Sequence, residues 1–187
     1  MSILLTRNNN SQKILDFKII LFNLYNMEEL WAPWRAEYII GSKEKECIFC
    51  SRLKQKRDRQ NLILYRGKNA FIILNRYPYN SGHLMIAPNK HKSNLDKLTK
   101  AEYTEMFRLM ILSSKLLNIA MPADGLNIGI NIGEVAGSSI TDHLHIHVVP
   151  RFQGDTNFMP VVGLTKVQSL ALLDIYDSLK KHLKKLQ

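Results

Sequence analysis

The stretch Asp142-His143-Leu144-His145-Ile146-His147-Val148-Val149-Pro150 alternates three imidazoles with aliphatic side chains at a period of two. On an extended strand, alternate side chains share a face. A strand over residues 144–149 is therefore predicted, with His143, His145 and His147 on one side and Leu144, Ile146 and Val148 packed on the other. An isolated His-x-His would read as a metal-binding strand or a polar edge. Three in succession, backed by an apolar face, supply a nucleophile, an orienting neighbour and an acid or base near neutral pH. That set suits transfer of a phosphoryl or nucleotidyl group through a covalent intermediate.

Phosphate chemistry also needs donors around the oxygens, because charge developing on them must be stabilised. Immediately upstream lies Asn131-Ile132-Gly133-Glu134-Val135-Ala136-Gly137-Ser138-Ser139. Its glycines permit close backbone approach, and its hydroxyls and amide can donate. Alone, such a loop would be read as a turn, and its place before the triad is what draws attention to it.

Working outward, the pattern is that of an α+β domain. Residues 62–65 and 70–74 read as two strands of a hairpin joined by Arg66-Gly67-Lys68-Asn69. After the turn chemistry of Pro78-Tyr79-Asn80-Ser81-Gly82, residues 83–87 read as a third strand stopped by Pro88. Met106, Leu109, Met110, Leu112 and Leu116 recur at helical spacing within residues 98–119. Thr99 is placed as N-cap, with Glu102 three residues on. Residues 125–131 complete the set of strands, and a final helix is expected over about residues 167–186.

At 187 residues the chain holds one domain. With 45% hydrophobic and 22% charged residues the composition is that of a soluble globular protein, and no apolar run reaches the ~20 residues a membrane span needs. The net charge of +10 favours polyanionic partners in general. The basic runs at residues 52–59 and 180–185 lack the interleaved aromatics of a single-strand binding groove, so solvated helix faces account for them and no nucleic-acid partner is expected. Two cysteines, spaced Cys47-Ile48-Phe49-Cys50, build no disulfide framework and fit a reducing compartment, the cytoplasm by default. Residues 1–26 make a poor signal peptide. Met27 is the expected start, with residues 1–26 a non-native or disordered extension and residues 27–187 the domain.

The signature His-x-His-x-His followed by two apolar residues, at residues 143–149, resembles that of the histidine triad (HIT) family, and the resemblance covers roughly residues 31–162. Phe71-Ile72-Ile73-Leu74-Asn75, then Pro78 and Gly82-His83-Leu84-Met85-Ile86-Ala87-Pro88, resemble the family's nucleotide-binding strands. Trp31-Ala32-Pro33-Trp34-Arg35 and Gly154-Asp155-Thr156-Asn157-Phe158-Met159-Pro160-Val161 are similar to a bacterial branch regarded as diadenosine tetraphosphate phosphorylases or hydrolases.

The resemblance implies a HIT-like fold, an antiparallel sheet of about five strands with the long helix packed on it and a C-terminal helix. It implies a homodimer and a nucleotide or dinucleoside polyphosphate substrate. His145 becomes the nucleophile at the α-phosphorus, His147 the contact to phosphate oxygens and leaving group, and His143 the residue that orients the row. Asn75 stands in the place of the ribose ligand, and Asn131, Gly137, Ser138 and Ser139 match the phosphate-contacting loop. The acceptor stays open between phosphate and water: the transferase branch often carries glutamine where His147 stands. Two other readings stay open as well, a nucleoside phosphoramidase acting on adenosine monophosphate conjugates and a nucleotide-binding protein without turnover.

Cys-x-x-Cys is half of a tetrahedral zinc site. The resemblance supplies the other half, since His91 and His143 hold the positions of the remaining ligands in zinc-bearing members. Four protein ligands leave no open position, so the implied zinc is structural. His83, after a glycine at a strand start, reads as structural support, His182 as solvated, and Trp31, Trp34 and Phe158 as packing aromatics.

Overall fold

The computed structural model describes residues 46–137, 140, 142–155 and 170–186. The expectations placed on residues 1–26, on Trp31, Trp34 and Phe158, on Ser138 and Ser139, and on the first residues of the terminal helix lie outside that set.

Among the described residues five strands form one sheet: β1 (Ile63–Arg66), β2 (Ala70–Leu74), β3 (Leu84–Pro88), β4 (Gly125–Ile130) and β5 (Ile146–Arg151), in the order β1-β2-β3-β5-β4 with every pair antiparallel. Phe71, Ile72, Ile73 and Leu74 are all fully buried, as an apolar run in an interior strand requires. The expected hairpin joins β1 to β2, and the Gly67 amide closes it on the Ala70 carbonyl at 2.8 Å. Among the described residues two short helices, α1 (Ile48–Lys54) and α2 (Asp58–Asn61), precede the sheet. The expected α+β architecture, an antiparallel sheet of five strands with a long packed helix and a C-terminal helix, is the one observed among the described residues.

The long helix α3 (Lys100–Ala120) buries Met106, Leu109, Leu116 and Leu117, and packs on β2, β3 and β5. Its start follows the sequence reading. Thr99 is the N-cap, its hydroxyl oxygen accepts from the Glu102 amide, and the Glu102 carboxylate accepts from the Thr99 amide at 2.8 Å. The terminal helix α4 (Leu172–Leu186) buries Ile175, Tyr176, Leu179 and Leu183, and the Tyr176 hydroxyl donates to the Ile63 carbonyl at 3.0 Å. Among the described residues no helix is long and apolar enough to cross a membrane.

Two prolines correct the expected strand boundaries. Pro88 does not stop β3 before itself; it is the last ladder position, opposite Ala70. Pro150 likewise lies within β5, opposite Leu126. A proline is tolerated where a strand needs no amide donor at that position.

The larger correction concerns the triad. Regular pairing of β5 begins at Ile146, not at Leu144, so only His147 lies on the strand proper. The Leu144 amide bonds the Lys92 carbonyl at 2.6 Å, outside the sheet, which draws this part of the chain away from the ladder.

The capping box supports a pH test. The Thr99 amide and hydroxyl and the nearby Lys92 ammonium hold the Glu102 carboxyl below its ordinary range. A depressed carboxylate stabilises the fold above its unfolded-state pKa, and that stability is lost as pH falls through the folded-state value. Thr99→Ala is expected to cost about 1 kcal/mol at neutral pH. Glu102→Gln should flatten the acid limb of a thermal-melting profile. An unchanged acid limb would remove Glu102 from the account.

Candidate active site

The three triad imidazoles become less buried in chain order. His143 is fully buried, His145 is 3% exposed, and His147 is partly exposed. Leu144, Ile146 and Val148 are buried too, so the alternation separates two covered faces rather than a core face from a wet one.

His145 Nδ1 lies 2.9 Å from the His143 carbonyl oxygen. A carbonyl only accepts, so Nδ1 carries the proton and Nε2 keeps its lone pair. Burial lowers the His145 pKa, which holds the ring neutral and its Nε2 nucleophilic. Phe49 packs against both this ring and that of His143, each at a centroid distance of 5.1 Å, and thereby limits how either can turn.

The state of His147 is set from a residue that the sequence reading assigned only to support. His83 is fully buried, and its Nδ1 faces two N–H groups, the Tyr79 amide at 3.2 Å and Asn75 Nδ2 at 3.2 Å. The orientation of Asn75 is itself determined, because its Oδ1 accepts the Tyr77 amide at 3.0 Å. His83 Nδ1 is therefore an acceptor and Nε2 a donor. That donor meets His147 Nδ1 at 2.9 Å, which leaves the proton of a neutral His147 on Nε2. The His145 and His147 ring centroids are 4.6 Å apart with planes 71° apart, so a ring with an unprotonated Nε2 neighbours one that carries its proton there. Tyr79 stacks on His83 at 4.9 Å with planes 17° apart.

Gly82 makes this turn possible. Its φ is +85°, and a Cβ there would meet the Met121 sulfur at 2.8 Å. The fourth histidine could have been suspected from Gly82-His83 at a strand start. Tyr79 and Phe49 carried no sequence signal beyond being aromatic.

The stretch expected to contact phosphate is described from Asn131 to Gly137. Asn131 Nδ2 reaches the Gly137 carbonyl at 3.5 Å, and Gly133 and Gly137 both have φ of +85°, so the backbone turns tightly beside the triad. Asn75 is at the site, held against His83.

Cys47, Cys50, His91 and His143 converge, with one donor atom from each lying within 4.8 Å of the others. Helical spacing puts both cysteines on one face at the start of α1. His143 Nε2 donates to the Pro88 carbonyl at 2.9 Å, so its Nδ1 lone pair faces Cys47 Sγ at 3.2 Å and Cys50 Sγ at 3.5 Å. His91 Nδ1 lies 3.4 Å from Cys50 Sγ. Burial and the neighbouring Cys47 push the Cys50 thiol up to about 11, and burial brings His143 down to about 4. His143 is thus a neutral imidazole with its lone pair toward the thiols, as a metal ligand must be.

Residues 56–154 match the family model for the HIT domain. The chain is 35% identical over 156 residues to a Mycobacterium tuberculosis protein named AP-4-A phosphorylase, a match covering 79% of this chain and 80% of that one. It is 32% identical over 92 residues to a Saccharomyces cerevisiae protein named bis(5'-adenosyl)-triphosphatase, covering 49% of this chain and 44% of that one. A zinc-bound histidine triad family protein from Mycobacterium smegmatis superposes with a TM-score of 0.61 at 25% identity, over 75% of this chain and 95% of its own. A hypothetical histidine triad nucleotide-binding protein from Sulfolobus tokodaii gives 0.61 at 28% identity, over 75% and 93%. Since the match takes in the sheet and the triad alike, the chain belongs to the histidine triad family.

Proposed function

We propose that this chain cleaves dinucleoside polyphosphates, diadenosine tetraphosphate among them, through a nucleotidyl intermediate on His145. The observation that carries the reading is the pair of ring states: an unprotonated His145 Nε2, fixed by the His143 carbonyl, beside a His147 whose proton is held on Nε2 by His83. The printed names of the Mycobacterium tuberculosis and Saccharomyces cerevisiae relatives support the substrate class.

In the first step His145 Nε2 bonds the α-phosphorus, the bond to the bridging oxygen breaks, and the departing nucleotide takes the proton of His147. In the second an acceptor oxygen displaces the histidine from phosphorus and returns a proton to His147. Phosphate as acceptor gives ADP, and water gives AMP. The backbone around Asn131 and Gly137, with Ser138 and Ser139, would hold the phosphate oxygens, and Asn75 the ribose. Incubation with diadenosine tetraphosphate, with and without phosphate, separates the acceptors by their products. His145→Ala should lower turnover by at least about a thousandfold while sparing much of the binding. Full turnover in that variant would end the mechanism.

The second proposal is a structural zinc ion held by Cys47, Cys50, His91 and His143. A tetrahedral ion with bonds of about 2.0 Å to nitrogen and 2.3 Å to sulfur needs donors roughly 3.5 Å apart. The separations of 3.2, 3.4 and 3.5 Å fit that requirement. Bound there, zinc would supply cross-linking and the charge that keeps the thiolates deprotonated, not catalysis. Elemental analysis after extensive dialysis should return about one zinc per chain, and Cys50→Ser should lose it. A folded protein free of metal would end this proposal and leave the triad untouched.

A homodimer is the third. On α3, Tyr103, Phe107 and Ile111 are 50%, 58% and 44% exposed at a spacing of four, and β4 is the last strand of the sheet among the described residues. A second copy paired along β4 and α3 would cover both. Light scattering should give twice the chain mass, reduced to the chain mass by Phe107→Lys. A monomeric parent protein would refute the pairing. Cytoplasmic localisation belongs with these proposals and follows from cysteine usage alone.

A further inference from the structure

We infer that Asp155 is a positioning residue for the active site: from beyond the end of β5 its carboxylate holds the Asn80 side chain, and through it the turn that orients His83. The inference rests on the proposed function only for its kinetic arm.

Asn80 is 7% exposed and sits in the turn between β2 and β3. Its Nδ2 donates to the Pro150 carbonyl at 3.0 Å and to Asp155 Oδ2 at 2.7 Å, so both amide protons are spent on the tail of β5. Its own carbonyl accepts the His83 amide at 3.1 Å. The residue before it, Tyr79, gives its amide to His83 Nδ1 and stacks its ring on the imidazole. One carboxylate is thus two bonded contacts away from the group that decides where the His147 proton resides.

Asp155 is itself held in place. Arg151 Nε and Nη2 donate to Oδ2 and Oδ1 at 2.6 and 3.1 Å, the Phe152 amide donates to Oδ2 at 3.2 Å, and Arg151 Nη1 reaches Asn127 Oδ1 on β4 at 2.8 Å. The side chain of Asp155 is 11% exposed against 47% for Arg151, which is the pattern of an inward-facing carboxylate and not of a surface ion pair. The Arg151 guanidinium beside it, with these amide donors, holds the carboxyl well below the usual range, so it remains an acceptor at any working pH. His147 and Arg151 lie on the same strand, so the network closes a ring: β5 presents His147, and its far end grips the turn that supplies His147's partner.

The test uses the full chain with its histidines nitrogen-labelled. In the parent protein, ring-nitrogen NMR should show His83 protonated at Nε2 and unprotonated at Nδ1. Asp155→Asn keeps the shape but removes the charge, and should broaden or mix the His83 tautomers while the melting transition stays cooperative. On diadenosine tetraphosphate it should lower kcat about tenfold with KM within about twofold, as expected when a reacting group is slightly misplaced. In a His83→Gln background the same substitution should produce no further loss. Asn80→Ala should reproduce both changes, and the Asp155→Asn, Asn80→Ala double variant should be no worse than either alone. Unchanged His83 tautomers in the variants, or a loss that multiplies independently of His83→Gln, would overturn the inference. The spectrum needs no substrate, so an absence of turnover in the parent protein would count against the proposed function and leave this inference still tested.

Discussion

The contact on which this site depends is the hydrogen bond from His145 Nδ1 to the carbonyl of His143, at 2.9 Å. A neutral imidazole can place its proton on either nitrogen, and only one choice leaves the outer nitrogen nucleophilic. A backbone carbonyl two residues away makes that choice without a carboxylate. The carbonyl is dependable because the residue that bears it is immobilised: His143 is fully buried, donates from Nε2 to the Pro88 carbonyl, and points Nδ1 at two thiols. One residue thus contributes its side chain to the candidate metal centre and its main chain to the candidate nucleophile.

The same logic repeats on the other side of the site. His147 is set by His83, His83 by the Tyr79 amide and Asn75, and the turn carrying Tyr79 by Asn80 and Asp155. The Tyr79 amide, able only to donate, decides for His83, and His83, its Nε2 thereby left as a donor, decides for His147. The two chains of decisions end 4.6 Å apart, at the His145 and His147 rings. Their opposite outcomes, a lone pair on one and a proton on the other, are what nucleophilic attack and leaving-group protonation require.

Much of this could be read from the residues because it is local. The helical spacing behind α3 and the capping box at Thr99 and Glu102 depend on near neighbours in the chain and appear where they are expected, whereas the period of two in residues 143–149 forms strand only from Ile146 onward. Strand limits at Pro88 and Pro150 were misjudged because a proline's effect depends on whether its partner position needs an amide, which is a property of the pairing. The place of His83 was underestimated for a related reason. Its partner His147 is 64 residues away, and their contact exists only because β3 and β5 are neighbours, with Met85 opposite His147. Asp155 and Asn80 are 75 residues apart and have no spacing rule at all. The cysteine pair was legible as half a metal site; its completion by His91 and His143 came from resemblance, and only the fold shows those donor atoms together.

Phe49 shows why a structural ion at these four residues would matter to chemistry it does not touch. It lies between the two cysteines, fully buried, and contacts Phe71 at 6.0 Å as well as the His143 and His145 rings. Its position is inherited from α1, a helix of seven residues, too short to be stable on its own. Within the described residues α1 is attached through its apolar contacts, through Cys47 and Cys50, and at its last turn, where Arg66 Nη1 donates to the Leu53 carbonyl at 2.7 Å and Asn61 Nδ2 to the Arg52 carbonyl at 3.4 Å. A cross-link from those cysteines to His91 and His143 would add to these attachments at the first turn of α1, where Phe49 forms the aromatic wall behind the candidate nucleophile. Such an ion would act on His145 through packing: without it His145 would keep its hydrogen bond to the backbone, while the ring that limits its rotation would be held less firmly.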